Sequence, residues 1–212
     1  MTPEQLIDRC PHLYHITHAD NLDAIQRHGL WSTSALLDQC GVVGTARDAL
    51  EARQRPGVVT LAHPAGGTVT LRDQGPLSEK RLAAVLTGGM TVGDWLRLIN
   101  ARVFFFPDAK RWRHLADVYA QDRQVVLVLD TAETVSRYLE RIELAHMNTG
   151  ATAYVPQPRG HDTFKRLADY PYDERRRKYG RADAIKEVTV LGGIDDIGAV
   201  LVEVHPVAAM HA

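Results

Sequence analysis

Residues 13–31 read LYHITHADNLDAIQRHGLW: a short apolar run, a polar tip and a helical pattern that closes on a glycine. At period two, Tyr14 and Ile16 point one way and Leu13, His15 and Thr17 the other. A strand here is apolar on one face and ends in an imidazole and a hydroxyl on the other. That second face is expected to border a cleft. Thr17 and Asp20 have the spacing of a capping box with the shorter acid, and Ala19, Leu22 and Ile25 recur at helical spacing until Gly29 offers a left-handed stop. Strand, cap, helix and glycine form one unit.

Outward from this unit, short strands and helices intermix. TARDALEARQRPG (45–57) predicts a helix ending at Arg55-Pro56, and VVTLA (58–62) and TVTLRD (68–73) predict a hairpin around the turn HPAGG. LSEKRLAAVL (77–86), GDWLRLIN (93–100), KRWRHLADVYA (110–120) and ETVSRYLERI (133–142) have helical patterns. ARVFFFP (101–107), QVVLVLD (124–130), IELAHMN (142–148), ATAYVP (151–156), AIKEVTVLGGI (184–194) and AVLVEVHP (199–206) read as strands, with a turn at Asn148-Thr149-Gly150. The segment 157–184, rich in Arg, Tyr, Pro and Asp, shows no period and is expected to be a long functional loop or lid. The organisation is α+β, in one domain spanning 1–212.

The 212 residues, 45% hydrophobic and 24% charged, are those of an ordinary globular chain. No apolar run approaches the roughly 20 residues that span a bilayer, and MTPEQLIDRC lacks the basic and apolar regions of a signal peptide, so a cytoplasmic protein without a membrane partner is expected. Cys10 and Cys40 stand apart without a CxxC and are expected to be reduced thiols. A net charge of −1 argues against a generally cationic nucleic-acid binder and leaves local patches open. Walker, GxGxxG, GxSxG and HExxH motifs are absent.

Several residues could carry chemistry, each with a plainer alternative. In IKEVTVL, Val188 and Val190 share one face and Glu187 and Thr189 the other, which puts a carboxylate beside a hydroxyl; the alternative is a solvated strand carboxylate. His15 is either functional or a hydrogen-bonded structural histidine. His12, His15 and His18 recur at three-residue steps, which alternate faces on a strand, and no Cys or acidic ligand stands nearby, so no metal site is expected. Arg72 could hold a phosphate with its planar fork or form a surface pair with Asp73, and Arg53 and Arg55 are its rivals. DYPYDERRRKYGR interleaves Tyr170, Tyr172 and Tyr179 with Arg175, Arg176, Arg177 and Lys178, offering stacking faces and cations to a single-stranded nucleic acid, or a solvated charge run.

LYHITHADNL followed by a helix and HGL resembles the start of the DarT-type DNA ADP-ribosyltransferase toxins and, more loosely, the histidine-bearing first strand of the NAD-dependent ADP-ribosyltransferase fold. ADYPYDERRRKYGRADAIKEVTVL is similar to the basic segment that precedes a glutamate-led strand in those toxins, and RVFFFPD to the strand between their two sites. HPAGGTVTLRDQGPL looks like an addition relative to them, as in a sister family. The resemblance implies a split mixed β-sheet core with surrounding helices. It further implies NAD as co-substrate, Glu187 as the catalytic carboxylate, His15 and Thr17 on the nicotinamide ribose and amide, and Arg53, Arg55 or Arg72 on the diphosphate. Tyr170, Tyr172, Arg175, Arg176 and Arg177 would meet the acceptor, single-stranded DNA or RNA, and a macrodomain-type antitoxin would be a partner. The alternatives are a non-catalytic nucleotide-binding or interaction domain, an RNA 2'-phosphotransferase-like enzyme and a protein-directed transferase.

Overall fold

In the computed structural model, which describes residues 1–112, 123–152 and 157–207, β1 (His12–His18) is the strand of the opening stretch. It pairs antiparallel along its length with β6 (Gln124–Asp130), and β11 (Leu201–Pro206) flanks β6 on the other side. The unbroken apolar run of β6 fits this central place, where both of its faces are covered. A second sheet has the order β5 (Arg102–Phe105), β9 (Glu187–Leu191), β7 (Ile142–Ala145) and β8 (Phe164–Arg166).

The two sheets meet where β1 approaches the end of β5. There, among the described residues, one bridge joins them: Tyr14 N–H donates to the Phe106 carbonyl at 3.1 Å and Phe106 N–H returns the bond at 2.8 Å. The fold is α+β. Every pairing between named strands is antiparallel, which corrects the expected mixed sheet, although an isolated parallel bridge joins Leu86 and Arg159.

The period-two reading of both site-bearing strands holds. Leu13, Leu127 and Leu129 of the first sheet pack with Val103, Phe105, Leu144, Val188 and Val190 of the second in one core cluster. Tyr14 and Ile16 turn instead to Val126 and Trp112. Behind the second sheet, Trp95 and Leu96 of α6 (Val92–Asn100) pack on Phe164 and Ala145.

Helix α2 (Leu22–His28) stops at Gly29, whose φ of +95° is left-handed, and a Cβ there would lie 2.6 Å from the Ile194 carbonyl oxygen. The cap before it differs from expectation. His18 Nδ1, and not the Thr17 hydroxyl, accepts from the Asp20 N–H, because Thr17 faces inward and bonds Asn21. Helix α1 (Pro3–Arg9), with its Thr2–Gln5 capping box, and α3 (Thr33–Gln39) have no counterpart in the sequence expectations. The helix expected to reach Arg55 ends sooner, as α4 (Gly44–Glu51), because the Arg55 N–H is taken by the Gln74 side chain and the chain turns there toward the hairpin.

That hairpin, β3 (Val59–Ala62) with β4 (Thr68–Leu71), is the expected one. The segment 157–184 is not a structureless loop. It contains β8 and a helix, Tyr172–Tyr179, whose buried Tyr172 anchors an otherwise charged stretch that has no apolar period. The helix expected over 110–120 lies beyond Trp112 outside the described residues, as does most of the strand expected over 151–156. Among the described residues, no helix is long and apolar enough to cross a membrane.

Candidate functional site

One cleft, a cavity of about 420 Å³, opens where the two sheets part, and its lining includes His15, Thr17, Arg55, Arg72, Thr149 and Glu187. β1 delivers His15 and Thr17, β9 begins with Glu187, and the hairpin end brings Arg72 over them. Residues far apart in the chain thus share one cleft because β1 turns His15 and Thr17, and β9 its first residue Glu187, to the split.

His15 is half-buried. Its Nδ1 lies 2.9 Å from the Phe104 carbonyl oxygen, which can only accept, so Nδ1 carries the proton. Burial pulls the imidazole down to about 4, against the Phe104 bond and with the help of the Arg72 charge. The ring is neutral at physiological pH, and Nε2 presents a lone pair suited to a sugar hydroxyl. The Thr17 hydroxyl accepts from Asn21 Nδ2 at 3.2 Å and keeps its own proton to donate. Asn21 also pairs twice with the Thr70 backbone, donating at 2.9 Å and accepting at 2.7 Å, and so fastens the hairpin over the cleft.

Glu187 is 8% exposed and is held by the turn that the sequence places at 148–150. One carboxylate oxygen accepts from the Thr149 N–H at 3.1 Å and the other from the Thr149 hydroxyl at 2.7 Å. The expected neighbour Thr189 instead donates to the Glu143 carbonyl at 3.1 Å. Burial pushes the Glu187 carboxyl up to about 7, although the Thr149 bonds and the charges of Arg159 and Arg111 oppose the rise. A carboxyl that titrates near neutrality in a cleft is the kind of group that catalysis uses.

The three arginines separate. Arg53 is exposed and off the cleft wall. Arg55 lines the cleft but is spent within the protein: it donates to the carbonyls of Arg72 at 3.0 Å and Leu50 at 2.6 Å and to Asn100 Oδ1 at 3.1 Å, and burial pulls it down to about 10. Arg72 is half-buried on the wall, with its charge felt at His15.

The five residues expected to meet the acceptor do not gather on the cleft wall. Tyr170 and Tyr172 are 3% and 5% exposed, and the Tyr170 hydroxyl donates to the Ala184 carbonyl at 2.5 Å, so neither ring is a stacking platform. Arg175 lies over the Tyr179 ring, Arg176 and Arg177 are exposed, and none of the three lines the cleft. Sequence reasoning missed Asn21, Thr149, Arg111 and Arg159. Only Thr149 carried a signal, as the centre of a turn. Among the described residues, no three His, Cys, Asp or Glu side chains gather where they could hold a metal ion.

A model of the family DUF7002, described as a family of unknown function, matches residues 11–201. No curated protein matches the sequence. The structure of Thermosipho africanus DarTG in complex with ADP-ribose is similar over 89% of this chain and 42% of that one, with 13% identity and a TM-score of 0.41.

Proposed function

This chain belongs to the DUF7002 family, of unknown function, and from the chemistry of its cleft we propose that it binds NAD there and transfers ADP-ribose to an acceptor. The observation that carries this reading is the pairing of a neutral imidazole, His15, with a buried carboxylate, Glu187, on strands of different sheets that line one cavity. The cavity falls in the range of roughly 300–1,000 Å³ typical of small-molecule sites, and its lining offers what a dinucleotide needs: a hydroxyl, an imidazole lone pair, a guanidinium and a carboxylate.

In this reading, breaking the bond between nicotinamide and ribose develops positive charge at the anomeric carbon. Glu187 supplies the fixed negative charge that stabilises it, oriented by the two Thr149 bonds. His15 Nε2 accepts from a ribose hydroxyl, Thr17 donates to the carboxamide, and Arg72 holds the diphosphate. The resemblance of the opening strand and of the glutamate-led strand to the DarT-type toxins supports the same assignment. A nucleic-acid base remains the proposed acceptor, with a macrodomain-type antitoxin as the proposed partner, although the two tyrosines have no part in it.

The test is incubation with labelled NAD and separate pools of DNA, RNA and protein. The wild type should transfer label to one pool, and Glu187→Gln should lose about 10² to 10³ in rate while keeping NAD affinity within a few-fold. Absence of both transfer and nicotinamide release in all pools would overturn the transferase reading. A second reading, a nucleotide-binding domain without turnover, is favoured by one observation: Thr149 engages both carboxylate oxygens. Saturable NAD binding with no nicotinamide release identifies that case.

A further inference from the structure

We propose that Arg159 is the positioning residue for Glu187: buried against the turn 148–151, it holds Thr149 against the carboxylate and brings a positive charge to the same region. The proposal deepens the transferase reading and rests on it for its chemical purpose. Arg159 is 3% exposed and, among the described residues, pairs with no carboxylate. Its guanidinium donates to the carbonyls of Thr149 at 2.9 Å, Ala151 at 3.4 Å and Gln157 at 3.1 Å, so two bonds hold the turn and the third ties the fork to its own chain segment.

Its backbone is fixed as well. The Arg159 N–H donates to Val85, its carbonyl accepts from Thr87, and the guanidinium lies 5.5 Å from the Trp95 ring centre. A Cβ on the following Gly160 would fall 2.6 Å from the Thr87 hydroxyl, so the backbone here runs close against Thr87.

Burying a guanidinium among neutral carbonyls costs several kcal/mol, roughly, unless an opposite charge answers it. The planar fork supplies three donors to three carbonyls, more than the two N–H groups of an amide side chain, and the carboxylate whose charge Arg159 meets is Glu187. Each group holds the other in its charged form: the Glu187 charge opposes the loss of the Arg159 proton that burial favours, and Arg159 stands first among the charges that lower Glu187. Other charged and titratable groups face the same space. Arg111 is bound to Asp108 and Asp183, Arg102 is paired with Glu143, Arg72 lines the cleft wall, burial pulls His15 down to about 4, and burial lowers His146 as well.

The test reads Glu187 directly. The full chain is labelled with ¹³C at glutamate carboxyls, titrated by NMR, and Glu187→Gln identifies the signal. Arg159→Met should raise the Glu187 midpoint by about one unit or more, the usual effect of removing a nearby opposite charge. Arg159→Lys, which keeps the charge but not the fork, should raise it less while speeding amide exchange at Thr149.

Equal midpoints in wild type and Arg159→Met overturn the proposal, as do equal rises in both variants. If Arg159→Met does not fold, Arg159→Lys decides: an unchanged Thr149 amide together with an unchanged Glu187 midpoint overturns it. No turnover is needed for this measurement. A null here removes Arg159 and leaves the transferase reading standing, whereas a null with labelled NAD removes that reading and leaves the titration intact.

Discussion

At the scale of single residues, His15 and Glu187 respond to pH in opposite directions. The Glu187 carboxyl titrates near 7 in the folded chain against an ordinary 4.5, so the folded state holds its proton more tightly. Its contribution to stability is complete below 4.5 and is lost as pH rises through about 7. His15 is depressed from 6.5 to about 4, so its contribution is present above 6.5 and lost as pH falls through about 4. Glu187→Gln should therefore flatten the fall in Tm between pH 5 and pH 8, roughly, and leave the acid limb in place. Thermal melts of both proteins across that range check it, and parallel curves would show that Glu187 titrates normally. The face on which each residue sits was legible, because period two fixes it. The partner of Glu187 was not: Thr149 reaches it only through the packing of the turn, which no local pattern encodes.

At the scale of elements, the hairpin β3–β4 was legible from its turn and β-rich flanks, but its attachment was not. Asn21 sits in the polar tip of the opening stretch, where nothing in the sequence points to its partner, and pairs with the backbone of Thr70 as a third strand would. Asn21→Ala should cost about 1–3 kcal/mol, since it leaves the Thr70 backbone groups unpaired. It should also weaken NAD binding by releasing Arg72. Hydrogen exchange should quicken at the Thr70 amide and not in β6; unchanged protection at Thr70 would show that the hairpin is held otherwise. The helix Tyr172–Tyr179 illustrates the opposite case. Its sequence, YDERRRKY, carries no apolar stripe, so periodicity could not find it, and its tyrosines looked available for stacking until Tyr172 proved to be its anchor in the core.

At the scale of the whole molecule, the sequence spoke clearly of α+β content and of two polar strand faces, and only the resemblance joined those faces into a single site. Strand direction and sheet order arise from contacts across the chain, and the split between the sheets is visible only once they pack. That split has a mechanical meaning. Between β1 and β5, the ladder has one rung among the described residues, the Tyr14–Phe106 pair, steadied by the His15–Phe104 bond. A ligand that touches His15 on one side and Glu187 on the other would splint the gap and supply the rungs that the backbone omits. ADP-ribose should therefore slow amide exchange at Tyr14 and Phe106 more than in the already continuous pairs of β7 with β9; equal slowing in both places would mean general stabilisation alone. A half-open seam of this kind would stiffen on occupancy, because a bound molecule would add the cross-links that the backbone lacks.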